Sequence, residues 1–149
     1  MDALVIGEPH GLARAVVRGL RRQGRSVLQA IAADAADRER MTWLLDEAGG
    51  PGLIVVFDDA PYPIVHVLVG LTPAEIVLVV EQRAAVARPG GLRARSYTPR
   101  DADGLTVVTL GRAGRRWFRP GAGRTETLGA ERAAADVLRS CGAAAASCR

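Results

Sequence analysis

Lysine is absent from the chain, so all 20 of its basic side chains are arginines, set against 16 acidic residues for a formal net charge of +4. The arginines are spread along the sequence, with small groups at 21–25 and 112–119. Aromatic and basic side chains come together only around Trp117 and Phe118. A nucleic-acid-binding protein more often carries one dense basic stripe. We therefore expect no nucleic-acid partner and interpret Trp117 as a packing or partner-contact residue.

Aromatic residues make up only 4% of the chain, so its core must be built from valine, leucine, isoleucine and alanine. Hydrophobic residues still reach 48% and charged residues 24%, a balance that excludes a disordered chain. The length of 149 residues fits one domain of ordinary size. The sequence predicts a single domain over residues 1–140, followed by a flexible, alanine-rich tail over residues 141–149.

Cysteine is confined to Cys141 and Cys148 within that tail, and no Cys-x-x-Cys or Cys/His spacing suits a metal ion. This excludes a disulfide framework and predicts no metal site. No apolar run approaches the ~18 residues that a membrane span needs, and no basic and apolar signal segment opens the chain. We expect a cytoplasmic protein without a membrane partner.

The first third of the chain alternates between two hydrophobic periods. Short apolar runs predict buried strands at 3–6, 26–31 and 53–57. Between them, apolar residues recur at helical spacing over 12–23, and Asp37 is placed to cap a helix that ends near residue 48. This alternation indicates parallel strands with right-handed crossovers. The sequence predicts a Rossmann-like α/β fold, with three α/β/α layers and a mostly parallel sheet of about four to five strands.

The second half of the chain is harder to interpret. The apolar run 64–71 fits either a strand or a helix. Residues 72–75, Thr-Pro-Ala-Glu, form a typical helix start and predict a helix over 73–88, although the β-branched run 76–80 leaves a strand open. Further on we expect a polar segment, a strand, an arginine- and glycine-rich loop and a last helix, at 92–104, 105–110, 111–123 and 128–139.

A turn containing two glycines joins the first predicted strand to the first helix, with the sequence Gly7-Glu8-Pro9-His10-Gly11. Glycines let the backbone approach a ligand, and a helix N-terminus offers free N–H groups and the positive end of its dipole to a phosphate. In folds of this type the turn after the first strand is where dinucleotides bind. The turn therefore predicts a phosphate-binding surface.

The turn resembles the G-x-x-x-G-x-G motif of the short-chain dehydrogenase/reductase superfamily, in its extended, NAD-dependent epimerase-like branch. Gly7 and Gly11 match the first two glycines, and Ala13 replaces the third. Residues 34–37 are similar to the family's D-x-x-D segment, whose first aspartate meets the adenine, and Ala60 remains of its Asn-Asn-Ala-Gly turn. The resemblance implies that the cofactor, NADP or NAD, contacts the following residues: Gly7, His10, Gly11, Leu12, Ala13, Asp34 and Ala60.

The end of the second predicted strand bears on the choice of cofactor. Ala30, Ile31 and Ala32 stand there, where NAD-binding members carry an acidic residue for the ribose. Several arginines lie nearby in the sequence, and an arginine accommodates the additional phosphate of NADP. The resemblance therefore favours NADP over NAD.

The resemblance covers residues 2–139, but the family's catalytic pair is replaced. Its Tyr-x-x-x-Lys helix is matched by a segment in which Leu128 stands for tyrosine and Arg132 for lysine. Leucine cannot transfer a proton, and arginine does not titrate near neutral pH. Thr109 can replace the family's serine hydroxyl but has no partner for chemistry. The resemblance implies a degenerate domain that binds a nucleotide without oxidoreductase catalysis, and it leaves other enzymatic activity undecided.

Two other interpretations compete with this one. In the first, the chain is a scaffold or interaction protein that forms a homo-oligomer or binds a partner protein, because the apolar stretch 64–80 is richer than a surface helix needs. That interpretation predicts that polar changes at Val77 or Val79 disrupt assembly. In the second, the chain is a small enzyme that uses His10, Asp58 and Thr109.

Overall fold

The computed structural model describes residues 1–35, 37–57, 63–83, 105–113, 115–118 and 127–147. Strands and helices alternate in its first half as the hydrophobic pattern predicts. The elements are β1 (Ala3–Ile6), α1 (Gly11–Arg22), β2 (Val27–Ala30), α2 (Arg38–Glu47) and β3 (Leu53–Phe57). A short 3₁₀ helix, Ala32–Ala35, lies between β2 and α2. The α/β class is confirmed, with seven strands and four α-helices in the described part of the chain.

The local sequence explains these elements. Every residue of β1 and of β3 is buried, as expected for parallel strands that are covered on both faces. Helix α1 buries one apolar side, which includes Leu12, Val16 and Leu20, and ends before Gly24, whose φ of 82° favours glycine. Asp37 caps α2 as predicted, since its carboxylate accepts the N–H of Arg40 at 2.8 Å.

Two elements follow β3 and resolve the ambiguous apolar stretch. Residues Pro63–Leu71 form α3, and Glu75–Arg83 form the strand β4. The predicted helix over 73–88 is therefore wrong. Ile76, Val77 and Val79 are buried between layers that cover both faces of the sheet, and this burial outweighs the local helix signal. The Thr72 hydroxyl accepts the N–H of Ala74 at 3.2 Å and so closes a turn that leads into the strand.

The C-terminal part adds more regular structure than the sequence indicates. It contains β5 (Leu105–Ala113), β6 (Arg116–Phe118), β7 (Thr127–Leu128) and α4 (Ala130–Ser147). The predicted loop over 111–123 includes the end of β5 and all of β6, so the sheet exceeds the four to five strands expected. Helix α4 continues to Ser147, past its predicted end at residue 139. Residues 141–147, predicted to be a flexible tail, are therefore helical.

The strands lie in the order β2-β1-β3-β4-β5-β6-β7. Neighbours are parallel from β2 to β5, whereas β6 and β7 join by antiparallel pairing. Because β2 and β3 flank β1 on opposite sides, the strand order reverses there. Successive connections leave the sheet in opposite directions at such a point, and a crevice opens outside the carboxyl ends of β1 and β3.

Helices cover both faces of the sheet, which gives the three layers predicted. Helices α1 and α4 pack on the face that carries Val5, Val55 and Val77. Helices α2 and α3 pack on the other face, against Leu4 and Ile54 among others. None of the helices in the described ranges combines the length and the apolar character that crossing a membrane requires.

Candidate functional site

The turn between β1 and α1 lies at the reversal point of the sheet. Gly7 has a φ of 152°, a conformation that side-chain-bearing residues rarely adopt, and its N–H donates to the Ala30 carbonyl at 2.9 Å. His10 is the extended residue that precedes α1. Five of the predicted cofactor residues are therefore brought together at one strand-to-helix turn. They are Gly7, His10, Gly11, Leu12 and Ala13.

The N-terminus of α1 carries neither a side-chain cap nor an acidic residue in its first turn. The first N–H groups of a helix have no partner within the helix, and together they form the positive end of its dipole. Leu12 and Ala13 are fully buried, so they contribute backbone N–H groups and packing rather than side-chain contacts. This end of α1 is suited to an anion.

Three charged or ionisable side chains meet beside this turn, and we call them the edge cluster: His10, Glu81 and Arg112. Nη1 of Arg112 donates to Oε2 of Glu81 at 2.9 Å. Nε2 of His10 lies 3.7 Å from Oε1 of the same carboxylate. The Glu81 side chain is only 10% exposed, whereas those of His10 and Arg112 are 26% and 32% exposed. A carboxylate with little exposed surface thus lies between two basic side chains that solvent can reach.

The strand register explains how the edge cluster forms. Glu81 of β4 pairs with Leu110 of β5, so Arg112, two residues further on, points to the same face of the sheet as Leu110. Leu110 belongs to the core beneath α1 and α4. His10 approaches from the beginning of α1, which packs on that same face. The cluster therefore lies over the α1 side of the sheet, at its carboxyl edge.

Two aromatic rings line the edge cluster. The guanidinium carbon of Arg112 lies 5.8 Å from the centre of the Trp117 ring, within the range of a cation–π contact. The His10 and Phe57 rings meet edge to face, with their centres 5.7 Å apart. A Cβ atom on Gly11 would lie 3.7 Å from Trp117, so a large side chain at that position would press on the indole.

The side chain of Asp34, another predicted cofactor residue, forms a hydrogen bond within the turn in which Asp34 lies. Its carboxylate accepts the N–H of Ile31 at 3.3 Å, and its N–H donates to the Ile31 carbonyl at 3.0 Å. These bonds close the 3₁₀ helix after β2. Ala60, with Asp58 and Asp59, lies outside the described residues.

The positions matched to the family's catalytic residues fall on different elements. Leu128 is buried in β7, whereas Arg132 is exposed on α4, so the two do not share the single helix that the resemblance implies. Thr109 lies within β5, but its side chain is outside the described part. No described side chain therefore takes the role of a tyrosine paired with a lysine.

Sequence reasoning missed Glu81 and Arg112 as site residues. The helix predicted over 73–88 placed Glu81 on a helix and not at the carboxyl edge of the sheet. The loop predicted over 111–123 likewise placed Arg112 outside the sheet. The available signal was the single charge that directly follows the β-branched run 76–80. If the run 76–80 is assigned to a parallel strand, Glu81 lies at the carboxyl edge of the sheet, where the turn containing His10 is also expected.

No model of a known protein family matches the chain, and no curated protein matches it either. Among the described residues there is also no group of three or more histidine, cysteine, aspartate or glutamate side chains arranged to hold a metal ion. The turn after β1 and the edge cluster are therefore the features of this chain that point to a function.

Proposed function

We propose that this chain binds a nucleotide, NADP or NAD, at the turn after β1, and that it does so without oxidoreductase catalysis. The observation that carries the proposal is the uncapped N-terminus of α1, which directly follows Gly7 at the point where the strand order reverses. Backbone N–H groups and the helix dipole favour a diphosphate there. Doubly wound sheets of either common strand order bind their ligands in this crevice.

The residues around the turn favour binding of the cofactor's diphosphate, whereas the positions matched to the family's catalytic pair do not favour oxidoreductase catalysis. The φ of Gly7 favours a residue without a side chain at the turn, so the backbone there is open to a ligand. For catalysis, Leu128 and Arg132 supply no group that exchanges a proton near neutral pH.

The end of β2 supports NADP over NAD. Ile31 follows that strand, is 40% exposed and offers no carboxylate to a ribose. Nη1 of Arg40 donates to the Ala33 carbonyl at 3.1 Å, which holds a guanidinium near the same turn. The Arg40 guanidinium also lies 3.8 Å from the Asp37 carboxylate, and it would bind the additional phosphate of NADP in place of that partner.

Calorimetric titration with NADPH, NADH and ATP tests this proposal. We expect micromolar binding that Gly11→Trp abolishes, because the new ring would fill the space between the α1 N-terminus and Trp117. Gly52→Trp is the matched control, since a side chain at Gly52 meets no neighbour within 4 Å. Absence of binding by the folded wild-type protein, or equal binding by Gly11→Trp, would overturn the proposal.

A second candidate function, assembly into a homo-oligomer, is favoured by two exposed apolar side chains. Trp43 on α2 is 61% exposed and Val69 on α3 is 41% exposed, and both helices cover the same face of the sheet. The residues expected to mediate assembly, Val77 and Val79, are fully buried in β4. If the chain assembles, Trp43 and Val69 are the side chains to change.

A further inference from the structure

The two helices on one face of the sheet, α1 and α4, carry most of the arginines of the described helices. Their exposed surface, which we call the arginine face, contains the following six: Arg14, Arg18, Arg21, Arg22, Arg132 and Arg139. The same helices contain only two acidic residues, Glu131 and Asp136, and so have a net charge of +4. On the opposite face, α2 contains two arginines and three acidic residues and α3 contains neither, for a net charge of −1. Positive charge is therefore concentrated on one side of the molecule.

On α1 the arginines form a single stripe. Arg14, Arg18 and Arg21 recur at spacings of four and three residues, which places them on one side of the helix, and Arg22 lies beside them. The apolar residues between them are buried against the sheet, so every side chain that is exposed on α1 is an arginine. Each residue adds about 1.5 Å to the length of an α-helix, so the stripe is about 12 Å long.

Ion pairs on the arginine face neutralise only part of its charge. The Glu131 carboxylate lies 2.5 Å from Arg18 and 3.7 Å from Arg22, and so joins the two helices. Asp136 pairs with Arg139. The three arginine side chains in these pairs are still between 50% and 71% exposed. Because exposed ion pairs contribute little free energy, these arginines can exchange a carboxylate for a phosphate at small cost.

The chemistry of the arginine face favours a phosphate backbone over an apolar partner. None of the large apolar side chains that are exposed among the described residues lies on α1 or α4. A helix that lies on a membrane needs an apolar side that enters the lipid, and the centre of a protein–protein interface is depleted of charge. A nucleic acid is bound mainly through its phosphates, which a guanidinium group matches with two parallel hydrogen bonds.

The composition of α1 and α4 also distinguishes between nucleic acids. Single strands are bound by stacking of their bases on aromatic side chains, and neither helix contains an aromatic residue. Double-stranded RNA is recognised largely through 2′-hydroxyl groups, which both donate and accept hydrogen bonds, whereas an arginine only donates them. A surface of arginines alone is therefore best suited to the backbone of a DNA duplex.

We propose that the arginine face binds the phosphate backbone of double-stranded DNA without recognising its base sequence. The sequence predicts no nucleic-acid partner because its arginines are spread along the chain, but the fold brings those of α4 beside those of α1. This binding does not require the proposed nucleotide site, which lies at the N-terminus of α1.

Fluorescence anisotropy with a labelled DNA duplex of about 20 base pairs, between about 50 and about 200 mM salt, tests this proposal. Each phosphate that an arginine neutralises contributes about −0.9 to the slope of log K against log salt concentration. With about four such contacts, the affinity should fall on the order of 100-fold over this range. A duplex of unrelated sequence should bind with the same affinity.

Single substitutions assign the binding to this surface. Arg14→Gln and Arg21→Gln should each weaken DNA binding and reduce the steepness of the salt dependence by about one unit of slope, whereas Arg14→Lys, which keeps the charge, should retain the wild-type slope. Arg38→Gln removes an exposed arginine from α2 on the opposite face and is the matched control, with the wild-type slope expected.

Three results would overturn the proposal. The first is no binding of duplex DNA at about 50 mM salt, whether or not the protein binds vesicles that contain phosphatidylserine. The second is an effect of Arg38→Gln equal to that of Arg21→Gln, which would show that overall charge and not this face binds DNA. The third is tighter binding of single-stranded DNA or of an RNA duplex than of the DNA duplex.

Discussion

At the residue scale, the carboxylates at the two edges of the sheet differ in their partners. At the carboxyl edge Glu81 is held by Arg112 and faces His10. At the amino edge, Oε1 of Glu75 is buried without a hydrogen-bond partner in the described ranges. Burial raises the pKa of Glu75, and the charge of Arg25 offsets this only in part. Glu75 therefore differs from Glu81 in having no basic side chain paired with it among the residues that the structure describes.

Glu75→Gln should stabilise the protein at neutral pH. The folded-state pKa of Glu75 is raised, so its contribution to stability is greatest below the ordinary value of 4.5 and is lost as the pH rises through the folded-state value. The amide avoids the cost of a buried charge. We expect a higher urea midpoint for Glu75→Gln at pH 7, and no difference from wild type at about pH 4. Equal midpoints at neutral pH would contradict the burial of this carboxylate.

The buried thiol of Cys141 is inert for the same physical reason. Burial and the nearby Glu75 carboxylate raise its pKa to about 11. At neutral pH the thiol is therefore protonated and neither nucleophilic nor metal-binding. Cys141 packs in the core beneath α1 and α4, although the sequence predicts that a flexible tail begins at this residue.

At the element scale, the sequence predicts the elements that precede residue 58, whereas it does not predict the strand β4. The first five elements follow from period, caps and glycines, because each lies in a segment with one dominant signal. In residues 72–80 a helix start precedes a β-branched run, and the conflict is decided by burial on both faces of the sheet, which no local pattern reports. The contact between Glu81 and Arg112 also depends on strand pairing, which the local sequence does not report. The turn after β1 could therefore be predicted, whereas the edge cluster could not.

Helices α1 and α4 pack closely because Gly19 has no side chain. A Cβ atom at that position would overlap the Leu138 side chain on α4. Gly19→Leu should therefore destabilise the fold by about 1–3 kcal/mol through overpacking, despite the better helix propensity of leucine. Denaturant unfolding measures the effect.

Gly70→Leu is the matched control for Gly19→Leu. Gly70 lies on α3, and a side chain there meets nothing within 4 Å. This variant should unfold within about 0.5 kcal/mol of wild type. If both variants have the stability of wild type, the α1–α4 contact is looser than described.

At the scale of the whole molecule, fold and assembly depend on different valines and aromatic residues. Val77→Asp places an unpaired charge in the centre of the sheet, at a residue with no exposed surface. We expect it to cost more than about 4 kcal/mol and to abolish the folded signal in circular dichroism. Trp43→Glu changes an exposed side chain on α2 and should leave that signal unchanged.

Light scattering after size-exclusion chromatography then reports on assembly. A wild-type oligomer that Trp43→Glu converts to monomers supports the homo-oligomer. A monomeric wild type excludes it, and an oligomer that Trp43→Glu does not affect assigns assembly to another surface. Val69→Asp provides a second exposed position on the same side of the sheet.

Because α4 is the last described element, chains that are still being synthesised on the ribosome lack it until late, and this bears on their solubility. Strands β1, β3 and β4 turn valine side chains toward the face that α4 helps to cover, and α4 begins only at Ala130. A nascent chain that has emerged no further than β7 would carry much of this apolar face uncovered. Incompletely covered sheets aggregate, so translational pausing or truncation before residue 130 should yield an insoluble product and not a shorter working domain.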